Sequence, residues 1–244
     1  MTKTLQLYQP LNGYCYNSDT HFLYHFITAN LKQFKNIQGN LLDIGSGSGV
    51  LGLLVARDYK KLQLNQIEIQ KDFQFLSQKN SEVNGISNHL FKGDFLKYNF
   101  KEENISFDYI ISNPPFYNND VIKSENESLK IARYNDNIPL DKFIQKASSL
   151  LTQKGKFFFC YDSKQIANII QELQNAKLNI EAISFLHPNS KKEASLVLVY
   201  ARKNSKSKLK IIPPYIMFDD NGEFSTLTQD IYKLCSTHSI KVEL

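Results

Sequence analysis

The sequence predicts an α/β fold: a doubly wound, mostly parallel sheet of seven strands with an antiparallel strand at one edge. Three observations carry that prediction. Short β-type apolar runs alternate with helical patterns from about residue 40 to 202. A glycine-rich turn joins the first buried strand to the first amphipathic helix, and only a short connection separates the last two strands. Such alternation implies right-handed βαβ units, because parallel strands need a crossover between them. The short final connection is the place for a strand that runs the other way.

Taken in order, strands are expected at 40–44, 63–69, 89–93, 107–112, 156–161, 180–186 and 195–201. Helices are expected between them at 50–57, 72–84, 140–151 and 164–176. In the third helix Leu140, Phe143, Ile144, Ala147 and Leu151 form an apolar stripe at helical spacing. Residues 36–202 thus make the central domain. Residues 1–35 form an N-terminal extension with a helix at 21–34, and residues 203–244 a basic segment and tail packed on the same domain. Residues 113–138 read as a polar loop after the fourth strand. Sheets of this kind bind ligands at the carboxyl ends of their strands, so a long loop there is expected to gate a substrate.

Composition narrows the classes. The chain has 244 residues, 42% of them hydrophobic, which suffices for one large core. No stretch approaches the roughly 18 apolar residues of a spanning helix, and the N-terminus lacks the apolar core of a secretory signal. Cys15, Cys160 and Cys235 are scattered without a CxxC pair, and the histidines are dispersed, so neither a metal site nor a disulfide is expected. A reducing, cytoplasmic compartment fits. The net charge of +5 is uneven: residues 202–210 hold five basic side chains, beginning with Arg202 and Lys203, and no acid. Lys191 and Lys192 lie just upstream. Such a block can neutralise phosphates, although a solvated lysine-rich loop would look the same.

The glycine turn is LLDIGSGSGVLGLLVAR, with Gly45, Gly47 and Gly49 between strand and helix. Glycines there permit positive φ and let an anionic or dipolar group approach the backbone beside the helix N-terminus. Gly47, Gly49 and Gly52 also match a dinucleotide fingerprint, so a nicotinamide cofactor and S-adenosylmethionine both remain open at this point. Asp43, two residues before the first glycine, favours the methyl donor. Glu68, ending the second strand, suits a ribose in either case. Asp94, after the third strand, is placed either to accept from the cofactor's adenine or to cap the next turn.

FDYIISNPPFY, residues 107–117, carries the chemistry. The strand delivers Asn113 to the carboxyl edge of the sheet, and Pro114 and Pro115 stiffen the turn. A nucleobase amine is conjugated with its ring and is a poor nucleophile. Two acceptors, the Asn113 side-chain oxygen and the Pro114 carbonyl, would orient its N–H groups and turn its lone pair toward an incoming methyl. Phe116 would stack on the base, which must be splayed or flipped out to be reached.

At these residues the chain resembles class I methyltransferases of the N/D-P-P-Y/F type, whose fold is Rossmann-like. More narrowly it resembles the bacterial tRNA adenine-N6 methyltransferases that modify adenine 37 in the anticodon loop of a valine tRNA. QPLNGYCYNSDTHFLYHF, DIGSGSGVLGLLVA, IEIQ, NPPFY, the Ala132–Arg133 pair, HPNSKKEASLVLVYARK and the tail PPYIMFDDNGEFSTLTQDIY carry the likeness in order. Cys15 and Asn135 depart from the group's usual arginine and acidic residue. The resemblance implies S-adenosylmethionine as cofactor, with Asp43, Gly45, Gly47 and Gly49 around its methionine part, Glu68 on its ribose and Asp94 on its adenine. It also implies that Asp19 closes over the donor, that Asn113 borders both donor and target, and that Asn113 to Phe116 hold the adenine. tRNA, or another structured RNA, is the expected partner, with Arg133, Lys191, Lys192, Arg202 and Lys203 as candidate phosphate contacts. Three alternatives are weighed beside it. A protein glutamine methyltransferase usually carries a helical domain before the glycine loop, and only about 40 residues precede it here. A guanine-N2 methyltransferase often has a second domain copy, for which there is no room. An RNA-binding protein that has kept only the fold would need neither motif intact.

Overall fold

The computed structural model describes residues 3–12, 15–114 and 138–244. Its first half adds an N-terminal strand and then alternates as expected: β1 (Leu5–Pro10), α1 (Ser18–Leu31), β2 (Gly39–Ile44), α2 (Val50–Asp58), β3 (Leu62–Glu68), α3 (Lys71–Asn84), β4 (Asn88–Lys92) and β5 (Phe107–Ser112). The second half continues with α4 (Leu140–Leu150), β6 (Leu151–Asp162), α5 (Ile166–Asn175), β7 (Leu178–His187), β8 (Leu196–Lys203), β9 (Lys210–Ile211), β10 (Tyr215–Ile216), α6 (Thr226–Cys235) and β11 (Thr237–Val242). Local chemistry sets the boundaries. Helix α1 starts before the expected residue 21 because the Asn17 side chain accepts the Asp19 N–H, capping it there. Helix α3 stops at Gly85, whose φ of 66° reverses the chain. Helix α5 is preceded by a single 3-10 turn over Ser163–Gln165.

The strands assemble in the order β10-β7-β8-β6-β5-β2-β3-β4, with β9 also on β7. The expected doubly wound parallel sheet is present, with nine strands among the described residues rather than seven. The antiparallel strand is present too, but not at an edge. β8 runs antiparallel to both neighbours and lies between β6 and β7. The crossover through α5 leaves a strand-wide gap between β6 and β7, and the short turn after β7 folds β8 back into it. Its run from Leu196 to Ala201 is buried throughout, as an interior strand covered on both faces requires. Phe157, Phe158 and Phe159 on β6 continue the same core, with Phe158 stacked on Tyr200 at 4.3 Å between centroids.

The termini form a clasp that periodicity does not reveal. β1 and β11 pair in parallel from Leu5↔Thr237 to Pro10↔Val242. The other edge of β1 would be unpaired, but α3 supplies side-chain amides in place of a strand. Asn80 accepts from Tyr8 N at 2.6 Å and donates to Tyr8 O at 3.0 Å. Asn84 does the same with Gln6 at 3.0 and 2.7 Å. An i, i+4 spacing on the helix matches the i, i+2 spacing of a strand, so both edges are satisfied. Arg57, at the end of α2, completes the clasp. Its guanidinium donates to the Cys235 and Leu234 carbonyls at 2.5 and 3.2 Å and to the Tyr24 hydroxyl at 3.0 Å, and it pairs with Asp58 at 2.8 Å. Helix α1 packs against α2, α6 and β6. Among the described residues no helix is long and apolar enough to cross a membrane.

Truncating Arg57 strands the Cys235 and Leu234 carbonyls and takes the cation from Asp58, which keeps only the Tyr24 hydroxyl. Arg57→Ala should therefore lower the unfolding free energy by about 2–4 kcal/mol in urea titrations. A loss of less than about 1 kcal/mol would mean that the clasp holds without it.

Candidate active site

The strand order reverses between β2 and β5, and ligands of doubly wound sheets bind at the carboxyl ends of strands at such a point. β2 ends at Ile44 and enters the glycine turn; β5 ends at Ser112 and delivers Asn113. A cleft lies between them, walled by Asp43, the 45–48 backbone, Val50, Leu51, Phe73 and Asn113 and, from the N-terminal extension, by Tyr16 and Thr20. Of these two walls, Thr20 adjoins Asp19, where closure over the donor is expected, and Tyr16 is a residue that sequence reasoning passed over.

The turn is held open from behind. Gly45, Gly47 and Gly49 have φ of 64°, 54° and 87°, which side-chain-bearing residues rarely adopt. Where Cβ atoms would stand on Gly45 and Gly47 there is nothing within 4 Å, so the backbone floor of the cleft is bare. Gly45 N and Ser46 N donate to Ile67 O. Glu68 accepts Gly47 N at 2.8 Å and Gln70 N at 2.9 Å, one on each carboxylate oxygen. Gly52 has a packing role: a Cβ there would come within 2.8 Å of Gln66 and Leu64 and 2.9 Å of Asp43. Asp43 accepts from Gly52 N at 2.9 Å and from the Gln66 amide at 3.1 Å. Complete burial pushes its carboxyl up to about 7.

Asn113 is gripped at both ends of its amide. Its Nδ2 donates to the Thr20 hydroxyl at 3.1 Å, and its Oδ1 accepts from the Cys160 thiol at 3.0 Å. Pro114 follows, buried. Pro115, Phe116 and Arg133 lie outside the described residues.

The other expected site residues divide by placement. Asp43, Gly45, Gly47 and Asn113 line the cleft, and Gly49 caps α2 directly beneath it. Glu68 is adjacent but buried, with both oxygens engaged by the loop it braces; burial raises its pKa. Asp94 accepts Leu96 N at 2.8 Å as a turn cap and pairs with Lys97 at 3.6 Å. Asp19 accepts from the Asn17 amide at 2.7 Å, and burial raises its pKa. Lys191 and Lys192 lie in the turn after β7, on the same edge as Asn113, and Lys191 reaches Asp220 at 3.5 Å. The structure separates Arg202 and Lys203 from them. The register Lys156↔Arg202 places this pair at the amino end of the parallel strands, the edge opposite the cleft. There Arg202 pairs with Glu181 at 3.5 Å, and Lys203 donates to the Ser148 and Leu151 carbonyls. A basic run in sequence is thus split by the antiparallel course of β8.

These residues fit S-adenosylmethionine. The bare glycine backbone at the α2 N-terminus suits the donor's amino-acid end. The buried Ser46 hydroxyl has no partner among the described residues and is available to a ligand. Leu51, Val50 and Phe73 offer apolar surface.

Comparison with known proteins agrees. A family model described as "Methyltransferase small domain" matches residues 20–184. A curated relative from Flavobacterium johnsoniae named tRNA1(Val) (adenine(37)-N6)-methyltransferase is 27% identical over 79% of this chain and 83% of its own. One of the same name from Aliivibrio salmonicida is 28% identical over 70% of each chain. Among solved structures, a predicted O-methyltransferase from Agrobacterium tumefaciens superimposes with a TM-score of 0.67 at 18% identity, covering 92% of this chain and 100% of that one. M. capricolum TrmK, in complex with the cofactor product S-adenosyl-homocysteine, has a TM-score of 0.51 at 13% identity, covering 75% of this chain and 70% of that one.

Because burial raises Asp43 to about 7, folding favours its protonated form. That contribution to stability is complete below the ordinary carboxylate value and is lost as pH rises toward 7. Asp43→Asn cannot titrate, so wild type should lose urea stability relative to the variant between about pH 4 and pH 7. A constant difference would return the carboxyl to the ordinary range.

Proposed function

This chain belongs to the methyltransferase small domain family; from that premise we propose that it takes S-adenosylmethionine as its donor and methylates the N6 amine of an adenine in RNA, adenine 37 of a tRNA anticodon loop. One observation carries the reading. Asn113, leading into Pro114, stands one residue beyond a strand that runs beside the strand of the glycine turn. The curated relatives' names supply the choice of adenine and of tRNA.

When bound, the donor supplies a methyl group activated by its sulfonium. The chain's residues do the rest. Asn113 Oδ1 accepts one N–H of the target amine, and the Pro114 carbonyl accepts the other. Those two acceptors fix the plane of the amine and aim its lone pair into the cleft, so positioning and preorganised dipoles carry the catalysis. Phe116 stacks on the base. Tyr16, Leu51 and Phe73 restrict water around the reacting atoms. Lys191 and Lys192, on the cleft edge, hold backbone phosphates, with Arg133 as a further candidate contact. With three free cysteines, the chain is suited to the cytoplasm.

Incubation with labelled S-adenosylmethionine and unmodified total tRNA should yield N6-methyladenosine by nucleoside mass spectrometry, and ribosomal RNA should yield none. Methylguanosine, or transfer to protein alone, would overturn the substrate. Asn113→Ala should lower kcat by about 100-fold or more while donor binding by calorimetry stays within about twofold. Loss of both together would make the turn a structural element. Replacing Lys191 and Lys192 with alanine should flatten the log–log salt dependence of tRNA binding by roughly 1–2 units of slope. An unchanged slope would remove them from the phosphate contacts.

A further inference from the structure

We infer that Cys160 and Thr20 are positioning residues that set which end of the Asn113 amide faces the target amine. The inference rests on Asn113 as the amine's acceptor. An asparagine amide is nearly symmetric in shape, and a half-turn exchanges an acceptor oxygen for two N–H donors. With oxygen toward the substrate, Asn113 binds an amine hydrogen. With nitrogen toward it, donor meets donor and the amine is repelled. The catalytic asparagine therefore needs something that distinguishes its two ends.

The register between β5 and β6 supplies it. Ser112 pairs with Phe159, so the next residues on each strand, Asn113 and Cys160, stand side by side. Cys160 is fully buried and approaches from the core, not from the cleft. Its sulfur lies 3.0 Å from Asn113 Oδ1. On the other side, Thr20 lines the cleft and its hydroxyl lies 3.1 Å from Asn113 Nδ2. A hydroxyl both donates and accepts, so Thr20 alone would tolerate either orientation. The thiol breaks the tie. Burial keeps it protonated, and a sulfur accepts only weakly, so S–H to oxygen is favoured over N–H to sulfur.

The arrangement also divides the lone pairs of Oδ1. A carbonyl oxygen accepts two hydrogens. Cys160 takes one from behind and leaves the other for the amine in the cleft. Thr20 belongs to α1, outside the sheet, so the grip on Nδ2 exists only while the N-terminal extension is docked.

Two measurements test this, and the first does not depend on the substrate. In the infrared spectrum the S–H stretch of Cys160, assigned by its loss in Cys160→Ala, should lie below those of Cys15 and Cys235. It should move up in Asn113→Ala. A band that does not move overturns the inference, whatever the enzyme methylates. The second measurement is turnover on tRNA. Cys160→Ala and Thr20→Val should each lower kcat by about 3- to 10-fold with KM for tRNA unchanged, and Cys160→Ala should leave donor affinity unchanged. Cys160→Ser, which restores a donor, should recover to within about twofold of wild type. Wild-type turnover in Cys160→Ala, or no rescue by serine, would reduce Cys160 to core packing. A wild-type enzyme inert on tRNA whose S–H band still shifts would overturn the substrate and leave the positioning role standing.

Discussion

The register between β2 and β5 is the constraint on which the site depends. The two strands pair from Leu41↔Tyr109 to Ile44↔Ser112, so Gly45 and Asn113 emerge at the same height on neighbouring strands. The glycine turn and the acceptor residue are therefore neighbours without any contact between them having to be built separately. The Ser112 hydroxyl donates to Ile44 O at 2.8 Å at the last paired residue and fixes the two ends together. A slip of one residue would turn Asn113 to the opposite face of the sheet. Because both strands are buried on both faces, such a slip would also displace Leu42, Ile110 and Ile111 from the core. Core packing and catalytic geometry are thus enforced by the same side chains.

A switch point alone is an open notch. Tyr16 and Thr20 make it a cleft, and neither belongs to the sheet. Their segment is held by β1, by α1 and through Arg57 by the end of α6, so the last residues of the chain secure a wall made by the first. Joining segments more than 200 residues apart is less costly than the separation suggests. Closure entropy grows only logarithmically with loop length, and the intervening domain is already folded.

Much of this fold can be read from sequence because its signals are local. Strand β5 and helix α2 are announced by apolar runs, and the turn between β2 and α2 by its glycines. NPPF announces the acceptor. What escapes is whatever depends on pairing at a distance. β8 reads as an edge strand because a short connection predicts a hairpin but not the gap into which the hairpin inserts. β1 and β11 are short, and one edge of β1 is satisfied by Asn80 and Asn84, which in sequence are only polar positions on a helix. Glu68 is placed correctly at the end of β3, but its carboxylate oxygens turn toward Gly47 N and Gln70 N. Cys160 carries no sequence signal at all; only the register beside Asn113 gives it a role. Arg202 and Lys203 follow Lys191 and Lys192 closely in sequence, yet β8 carries them across the full height of the sheet.

Burial shifts ionisable side chains around the site toward their neutral forms. Burial raises Asp19 and holds the Cys160 thiol protonated, while it drives the buried His21 down to about 4. For a donor that arrives positively charged, a fixed carboxylate beside the reacting centre would attract it equally before reaction and stabilise the ground state. Neutral acceptors act at a different stage. As the methyl bond forms, positive charge moves onto the amine nitrogen and its N–H groups become stronger donors. In the proposed reaction the hydrogen bonds to Asn113 Oδ1 and the Pro114 carbonyl would then tighten on the way to the transition state, and only interactions that strengthen in that way accelerate the step. An amide oxygen held in one orientation serves that purpose better than a carboxylate. Its dipole is already aimed, and it makes no strong claim on the donor before the amine is in place.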